Sequence, residues 1–552
     1  MWFRGATAAS SVSLPLVAAA SPLLAEKRLR RRDGVDGGRM MAGVGAAWHP
    51  AARCSSAGVD ARLKGMADAL LVPALHWAEL HGLVYAAKER REDPSLATQC
   101  PVALIPFQIP RATFEDCAAL GPLWGKLVDA VARDREWLYE TLEHAAKVDP
   151  FTAELVRISK AVHAEGLRQK TMLGIHRSDY MLHEPEGSTE PPQLLQVELN
   201  TIASSMLSHA ANVEQLHRYL LGRYGSAKDA EDVAAELAAH YGASSGKDLL
   251  VGLPANESLT KVPAAIAAAH EIYGQSDAVV VMIVQGSERN FADQRWVEYA
   301  LWEKHRVPIV RKTLQEMHAE AEMDAAAGGK LFLNKGKGPE VSVVYFRAGY
   351  GPEEYEEAAA REARLLIERS LAIKCPSIDY QLVGAKKVQQ ALAKPGALER
   401  YMTAEECAQL RTCFAGLWGL GTGEDDAGII KEVMQSPEGF VLKPQREGGG
   451  NNFYGADVAA QLQKLSVEER GAYILMQRIL PKTQWSIMTR EGQTTVMPGL
   501  SEFGFYAVYL GDGRTVHLAS AAGHLVRTKA EGVDEGGVAA GYAVINSPFL
   551  TR

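Results

Sequence analysis

Residues 278–284, Ala-Val-Val-Val-Met-Ile-Val, constrain this chain most. The run is unbroken, rich in β-branched side chains and of strand length. A strand apolar on both faces needs cover on both faces, which a parallel sheet flanked by helices provides. Residues 293–305 follow with a helical pattern, and residues 307–311 read as the next strand. This strand–helix–strand rhythm predicts a small parallel α/β unit.

The surrounding chain is long enough to hold that unit as one part among several. Its 552 residues predict two to four domains, and 47% apolar with 23% charged residues is ordinary globular composition. Collagen, a wholly disordered chain and a disulfide scaffold are excluded. No run of 18 apolar residues predicts a membrane span. The net charge of −8 argues against nucleic acid as a partner, because phosphate contacts need a basic face. Six cysteines, at 54, 100, 117, 375, 407 and 413, form no CxxC pair and read as free thiols.

Residues 1–56 differ from the rest. Arg4, Lys27, Arg28, Arg30, Arg31, Arg32, Arg39 and Arg53 stand against only Glu26, Asp33 and Asp36. The arginine cluster follows the apolar stretch instead of preceding it, which suits an organellar transit peptide better than a secretory signal.

Helical spacing is predicted over 58–91, 114–168, 227–242 and 355–373. At 193–201 the period changes to two, placing Gln196, Glu198 and Asn200 on one strand face and Leu195, Val197 and Leu199 on the other. Residues 330–333 and 341–346 flank a Gly- and Lys-rich turn and read as a β-hairpin. Further strands are expected at 440–443, 473–477 and 504–510.

Four segments carry chemistry. The sharpest is Phe440-Val441-Leu442-Lys443-Pro444-Gln445-Arg446-Glu447-Gly448-Gly449-Gly450-Asn451-Asn452. Here a strand ends in a lysine able to neutralise phosphate. Glu447 offers a hard oxygen to Mg²⁺, and three glycines let backbone N–H groups approach an anion. It is not a Walker A loop. Second, Glu198 and Asn200 lie two apart on a strand, so a carboxylate and an amide oxygen share a face. Third, Arg527 and Lys529 share another strand face, just before Gly536-Gly537-Val538-Ala539-Ala540-Gly541. Fourth, Arg347 ends a strand, where a guanidinium suits carboxylate clamping. His176-Arg177-Ser178-Asp179 and Glu502-Phe503-Gly504 only faintly echo kinase segments, and no VAIK lysine precedes them.

Together with residues 173–180 (LGIHRSDY), 197–201 (VELNT), 288–295 (ERNFADQR), 343–350 (VVYFRAGY) and 386–390 (KKVQQ), in that order, these segments resemble the eukaryotic-type glutathione synthetases, and among them the plant form. The resemblance runs from about residue 60 to the end. It implies a mixed α/β (α+β) chain with the ATP-grasp fold and an inserted small parallel α/β substrate-binding domain. The implied divisions are a transit-peptide-like arm at 1–56, an N-terminal part of the core carrying the Mg²⁺ and substrate strand at 57–275, the inserted domain at 276–385, and an ATP-binding and lid region at 386–552.

The implied reaction is ATP- and Mg²⁺-dependent ligation of γ-glutamylcysteine to glycine through an acyl phosphate, by a homodimer in the plastid with a share in the cytosol. Glu198, Asn200 and Glu447 would hold Mg²⁺. ATP would meet Glu198, Lys386, Lys443, Glu447, Gly448, Gly449, Gly450, Asn451, Asn452, Tyr454, Met476, Gln477, Arg478, Ile479, Glu502, Lys529 and Glu535. The peptide and glycine would meet Arg177, Ile202, Ser204, Ser205, Glu288, Arg289, Asn290, Gln294, Arg347, Gly349, Tyr350, Arg527, Val538 and Ala539. Arg527, Lys443 and Lys386 would act in catalysis. Two positions depart from the family pattern: Ala348, where animal members often have Asp, and Ala203, where Ser is common. Alternatives are a β-alanine-using homoglutathione synthetase, a phosphotransferase, or a non-catalytic ATP-binding protein.

Overall fold

The computed structural model describes residues 57–88, 93–422, 424, 426–446, 450–534, 536–539 and 541–552, with side chains from 61 onward. The basic arm at 1–56 lies outside them, as does Cys54. Three sheets of four or more strands organise the described chain, and three two-stranded pairs accompany them.

The largest has seven strands in the order Gln484–Arg490, Val102–Ala103, Ala543–Asn546, Val516–Ala530, Gln493–Gly511, Met172–His183 and Gln193–Asn200. Gln484–Arg490 pairs with Gln493–Gly511 as well as with Val102–Ala103, so five of these strands close into a ring. Met172–His183 and Gln193–Asn200 extend from it as a flap. The sheet is antiparallel except where Ala543–Asn546 meets Val102–Ala103. Helices Ala57–Leu80, Arg111–Arg133 and Leu207–Tyr224 cover it.

The apolar run becomes Val279–Ile283, every residue buried, in a four-stranded parallel sheet ordered Ile373–Cys375, Val341–Phe346, Val279–Ile283, Ile309–Lys312. From Val279–Ile283 the chain leaves through helix Phe291–His305 toward one edge. From Val341–Phe346 it leaves through helix Ala358–Arg369 toward the other. The two central strands therefore diverge at their carboxyl ends, where parallel sheets open a crevice for ligands.

The third sheet is small and antiparallel: Leu417–Gly419, Tyr473–Gln477, Phe440–Pro444 and Phe453–Tyr454. Helices Ala427–Gln435 and Ala456–Lys464 back it through Val433, Leu442, Leu462 and Leu475.

Several sequence expectations change in detail. The first helix stops at Leu80, and Gly82, at φ 68°, turns the chain into strand Val84–Ala86. The helical stretch 114–168 is three helices, broken where Asp134 and Asp149 accept the N–H of Trp137 and Thr152 as N-caps. The 355–373 stretch holds the helix Ala358–Arg369 and then the strand Ile373–Cys375. The hairpin expected around 334–339 is a turn closed by one bridge, Phe332 to Glu340. Lys330–Phe332 pairs instead with Glu322–Asp324, and Val341–Phe346 joins the parallel sheet.

Candidate active site

One face of the large sheet forms the floor of a cleft of about 1190 Å³, and the small sheet and the carboxyl ends of the parallel sheet supply its walls. Pairing sets the floor. Arg177 stands opposite Asn200, Asp179 opposite Glu198, and Glu502 opposite Arg527. Alternation then puts Arg177, Asp179, Glu198, Asn200, Glu502, Arg527 and Lys529 on one face. A bulge corrects one detail of the sequence reading. Val197 has no partner in the ladder and lines the cleft, while Gln196 turns to Ser178 Oγ at 2.7 Å.

Cations surround the Glu198 carboxylate. Lys386 Nζ lies 3.4 Å from its Oε2, although Lys386 itself lines an adjoining small cavity. Lys443, at the end of its strand, reaches across to Val197 O at 2.8 Å. Burial alone would raise Glu198, but Lys386, Lys443, Arg527 and Arg177 outweigh it and hold the carboxyl below its usual range. Glu502 moves the other way: burial raises it, opposed by Arg527 and helped by Asp179 and Glu198. Two neighbouring carboxyls thus differ in their readiness to ionise. Arg527 donates to both Asp179, at 3.0 Å, and Glu502, and burial is outweighed by these acids so that it stays protonated.

At the far wall, Arg347 is 4% exposed and donates Nη2 to Asp293 at 2.7 Å. Its Nε and Nη1 have no partner, and neither does Asn290 Oδ1. A buried guanidinium with two unsatisfied donors in a cleft calls for an anionic ligand group. Glu288 orders the loop beside it by accepting from Asn290 N at 2.7 Å and Gln294 Nε2 at 2.6 Å. Tyr350 Oη accepts from Gln285, and Gly349, at φ 88°, offers its carbonyl to Gln381 and Tyr355. Arg289 donates to Ala539 O at 2.9 Å, tying this loop to the glycine-rich one.

The cleft collects Arg177, Glu198, Asn200, Ile202, Ser204, Ser205, Glu288, Arg289, Asn290, Gln294, Arg347, Tyr350, Lys443, Asn452, Tyr454, Met476, Gln477, Arg478, Ile479, Glu502, Arg527, Lys529, Val538 and Ala539. Lys386, Gly349, Gly450 and Asn451 are not among its lining residues. Glu447, Gly448, Gly449, Glu535 and Ala540 lie outside the described residues. Ala203 lines the cleft at φ 51°, and Ala348 is buried.

Asp179 and Asp293 were not singled out from sequence. The available signals were a charged pair two apart in a strand whose other residues are mostly apolar, and one acid in the first turn of a helix. Cys100, Cys117, Cys375, Cys407 and Cys413 are buried, and burial raises each thiol, so none is a nucleophile candidate.

The profile of the eukaryotic glutathione synthase ATP-binding domain matches residues 64–550. The chain is 42% identical to the chloroplastic glutathione synthetase of Solanum lycopersicum over 485 residues, which is 86% of this chain and 83% of that one. It is 37% identical to the Homo sapiens glutathione synthetase over 490 residues, or 88% of this chain and 97% of that one. Among solved structures, a glutathione synthetase-like effector of Globodera pallida in its apo form superposes with a TM-score of 0.67 at 21% identity, covering 89% of this chain and 98% of that one, which speaks for the fold. With two sheets enclosing a cleft and a parallel α/β unit beside it, the fold is of the ATP-grasp type, and the chain belongs to the eukaryotic glutathione synthase family.

Proposed function

We propose that this chain joins γ-glutamylcysteine to glycine while ATP is cleaved to ADP and phosphate. One observation carries the reading. Glu198 and Asn200, ringed by Lys386, Lys443 and Arg527, share a cleft with Arg347, whose two unpaired donors suit a substrate carboxylate. Lys443 and Lys386 neutralise the triphosphate as its γ-phosphoryl group passes to the cysteinyl carboxylate, giving an acyl phosphate. The glycine amine attacks the acyl carbon, phosphate leaves, and Arg527 stabilises the oxyanion formed between the two steps. Val538 and Ala539 close over the acceptor and exclude water from the acyl phosphate.

Among the described residues there is no group of three His, Cys, Asp or Glu placed to hold a metal. An ionised Glu198 beside the amide of Asn200 fits Mg²⁺, which takes few protein oxygens and completes its shell with phosphate and water. Glu447 is the third protein ligand we propose. When bound, Mg²⁺ would screen the phosphate charge.

ADP release measured with and without glycine tests the reaction. Peptide-bond formation confirms it, whereas ADP release indifferent to glycine would point to a phosphotransferase. We further propose the division at 57–275, 276–385 and 386–552 as functional units, and a homodimer, for which sedimentation velocity is the check. Plant relatives are named chloroplastic. With the basic arm, this supports a plastid address. A fusion of residues 1–56 to a fluorescent reporter should concentrate in plastids, and a secreted or evenly cytosolic signal would contradict it.

A further inference from the structure

We propose that Asp179 is a positioning residue that sets three parts of the site against one another: the substrate-side Arg177, the Mg²⁺ ligand Asn200 and the acyl-transfer Arg527. Asp179 is fully buried. Its Oδ1 accepts Arg177 Nε at 2.6 Å. Its Oδ2 accepts Arg177 Nη2 at 2.7 Å, Asn200 Nδ2 at 3.0 Å and Arg527 Nη2 at 3.0 Å. Four donors converge on this one carboxylate, three of them on Oδ2. All four donors come from three residues of the site, Arg177, Asn200 and Arg527. Its work is done through the groups it holds.

Three consequences follow from the contacts. The guanidinium of Arg177 is gripped by two parallel bonds, which fixes its plane. The amide of Asn200 is oriented, because only its nitrogen end can face a carboxylate, and this leaves Oδ1 as the end available to a cation. Arg527 is held between Asp179 and Glu502, so its remaining donors keep one direction as charge develops. The neighbouring strand makes room for the cluster. A Cβ at Gly504, which pairs with Asp179, would lie 2.6 Å from Asp179 Oδ1 and 2.8 Å from Arg177 Cδ.

The inference rests on the assignment of Asn200 and Arg527 above, so its test begins with a readout that needs no turnover. Calorimetry of a non-hydrolysable ATP analogue across a Mg²⁺ series should show Asp179→Asn needing about ten-fold more Mg²⁺ or higher for half-maximal binding. In steady state, kcat should fall about 100-fold and KM for γ-glutamylcysteine should rise about ten-fold. In an Asn200→Ala background, Asp179→Asn should leave the Mg²⁺ response where Asn200→Ala alone puts it. Asp179→Glu keeps the charge but moves it by one methylene. It should fold, with near-ultraviolet circular dichroism like the parent's, and still lose kcat and Mg²⁺ response, and it carries the test if Asp179→Asn does not fold. A folded Asp179→Glu with parental Mg²⁺ response and kcat overturns the proposal. So does an Asp179→Asn whose losses match the fraction unfolded, because the carboxylate then only neutralises buried arginines. Failure of the ligase reading would appear in the parent's peptide-bond assay and leave the Mg²⁺ binding comparison intact.

Discussion

Asp293 gives the sharpest test of how the end of the cleft proposed to take the peptide is held. Its carboxylate is fully buried and receives Arg347 Nη2 at 2.7 Å, Met206 N at 2.9 Å and Ser208 N at 2.8 Å. It thus grips the proposed carboxylate clamp and also caps the amino end of helix Leu207–Tyr224. Burial alone would raise its pKa, but Arg347 and His209 keep it low, so the group is charged at neutral pH. Met206 and Ala203 have left-handed φ values of 70° and 51°, a conformation that persists only where surrounding contacts fix it. Asp293→Ala removes the counter-charge of a buried arginine and two capped N–H groups together. Breaking a buried pair from one side costs about 3–5 kcal/mol, and since the bonds converge on one carboxylate their individual values do not add to it. Asp293→Asn keeps one acceptor and should cost about 2 kcal/mol. Urea unfolding followed by tryptophan fluorescence reads the stability, and KM for γ-glutamylcysteine reads the clamp. We expect the alanine variant to raise that KM about ten-fold or more, because Arg347 loses its anchor. A stability change under about 1 kcal/mol with an unchanged KM would refute the argument.

Further outcomes follow from the other parts of the site. Glu447→Ala should cost about 3–4 kcal/mol of transition-state stabilisation, or ~100-fold in rate or more, and near-normal turnover at modest Mg²⁺ would sink Glu447 as a ligand. Glycine should be preferred over β-alanine by about ten-fold or more in kcat/KM, since one methylene displaces the amine beneath a loop of small side chains. Competition read by mass spectrometry decides it, and equal yields would indicate a homoglutathione synthetase. Burial depresses His176 and His217 to about 4 and His524 to about 3, from 6.5. Folded-state pKa values below the unfolded value mean that stability is fully present above pH 6.5 and is lost as pH falls toward 4 and 3. Each histidine contributes up to about 1.4 kcal/mol per pH unit in that window. Urea midpoints at pH 7.5, 6 and 5 should fall in that order, and a flat series would contradict it.

What the sequence disclosed depended on how local each signal was. The run at 278–284 shows its strand because both faces are apolar, and Glu198 with Asn200 shows by alternation. The bulge at Val197 does not show, since it is set by the partner strand Met172–His183. Val516–Ala530 is rich in alanine and histidine and carries no clear period, so this long strand was not read beyond its cationic pair. The extension of Gln493–Gly511 before residue 504 was hidden by Thr, Pro and Gly. The two faint kinase echoes are instructive. They carry no kinase chemistry, yet Gly504 pairs with Asp179 and Phe503 with Tyr180 across more than 300 residues. Asp179 matters through register of that kind, and Asp293 through contacts with Arg347, Met206 and Ser208 that come from distant elements.

The seven-stranded sheet has a consequence for how the chain is made. Its ring takes one strand from residues 102–103 and the others from residues 484–546, with Ala543–Asn546 lying between Val102–Ala103 and Val516–Ala530. At translation rates of about 5–20 residues per second, the early strand waits on the order of a minute for its neighbour to emerge. During that interval helices Ala57–Leu80 and Arg111–Arg133 lack the strands of residues 493–530 that they cover in the finished protein. Pairings this distant in sequence also make ring closure slow once the chain is whole. A frameshift that removes only residues 543–552 would open the ring between Val102–Ala103 and Val516–Ala530, although the strands that carry the cleft floor could still pair with one another.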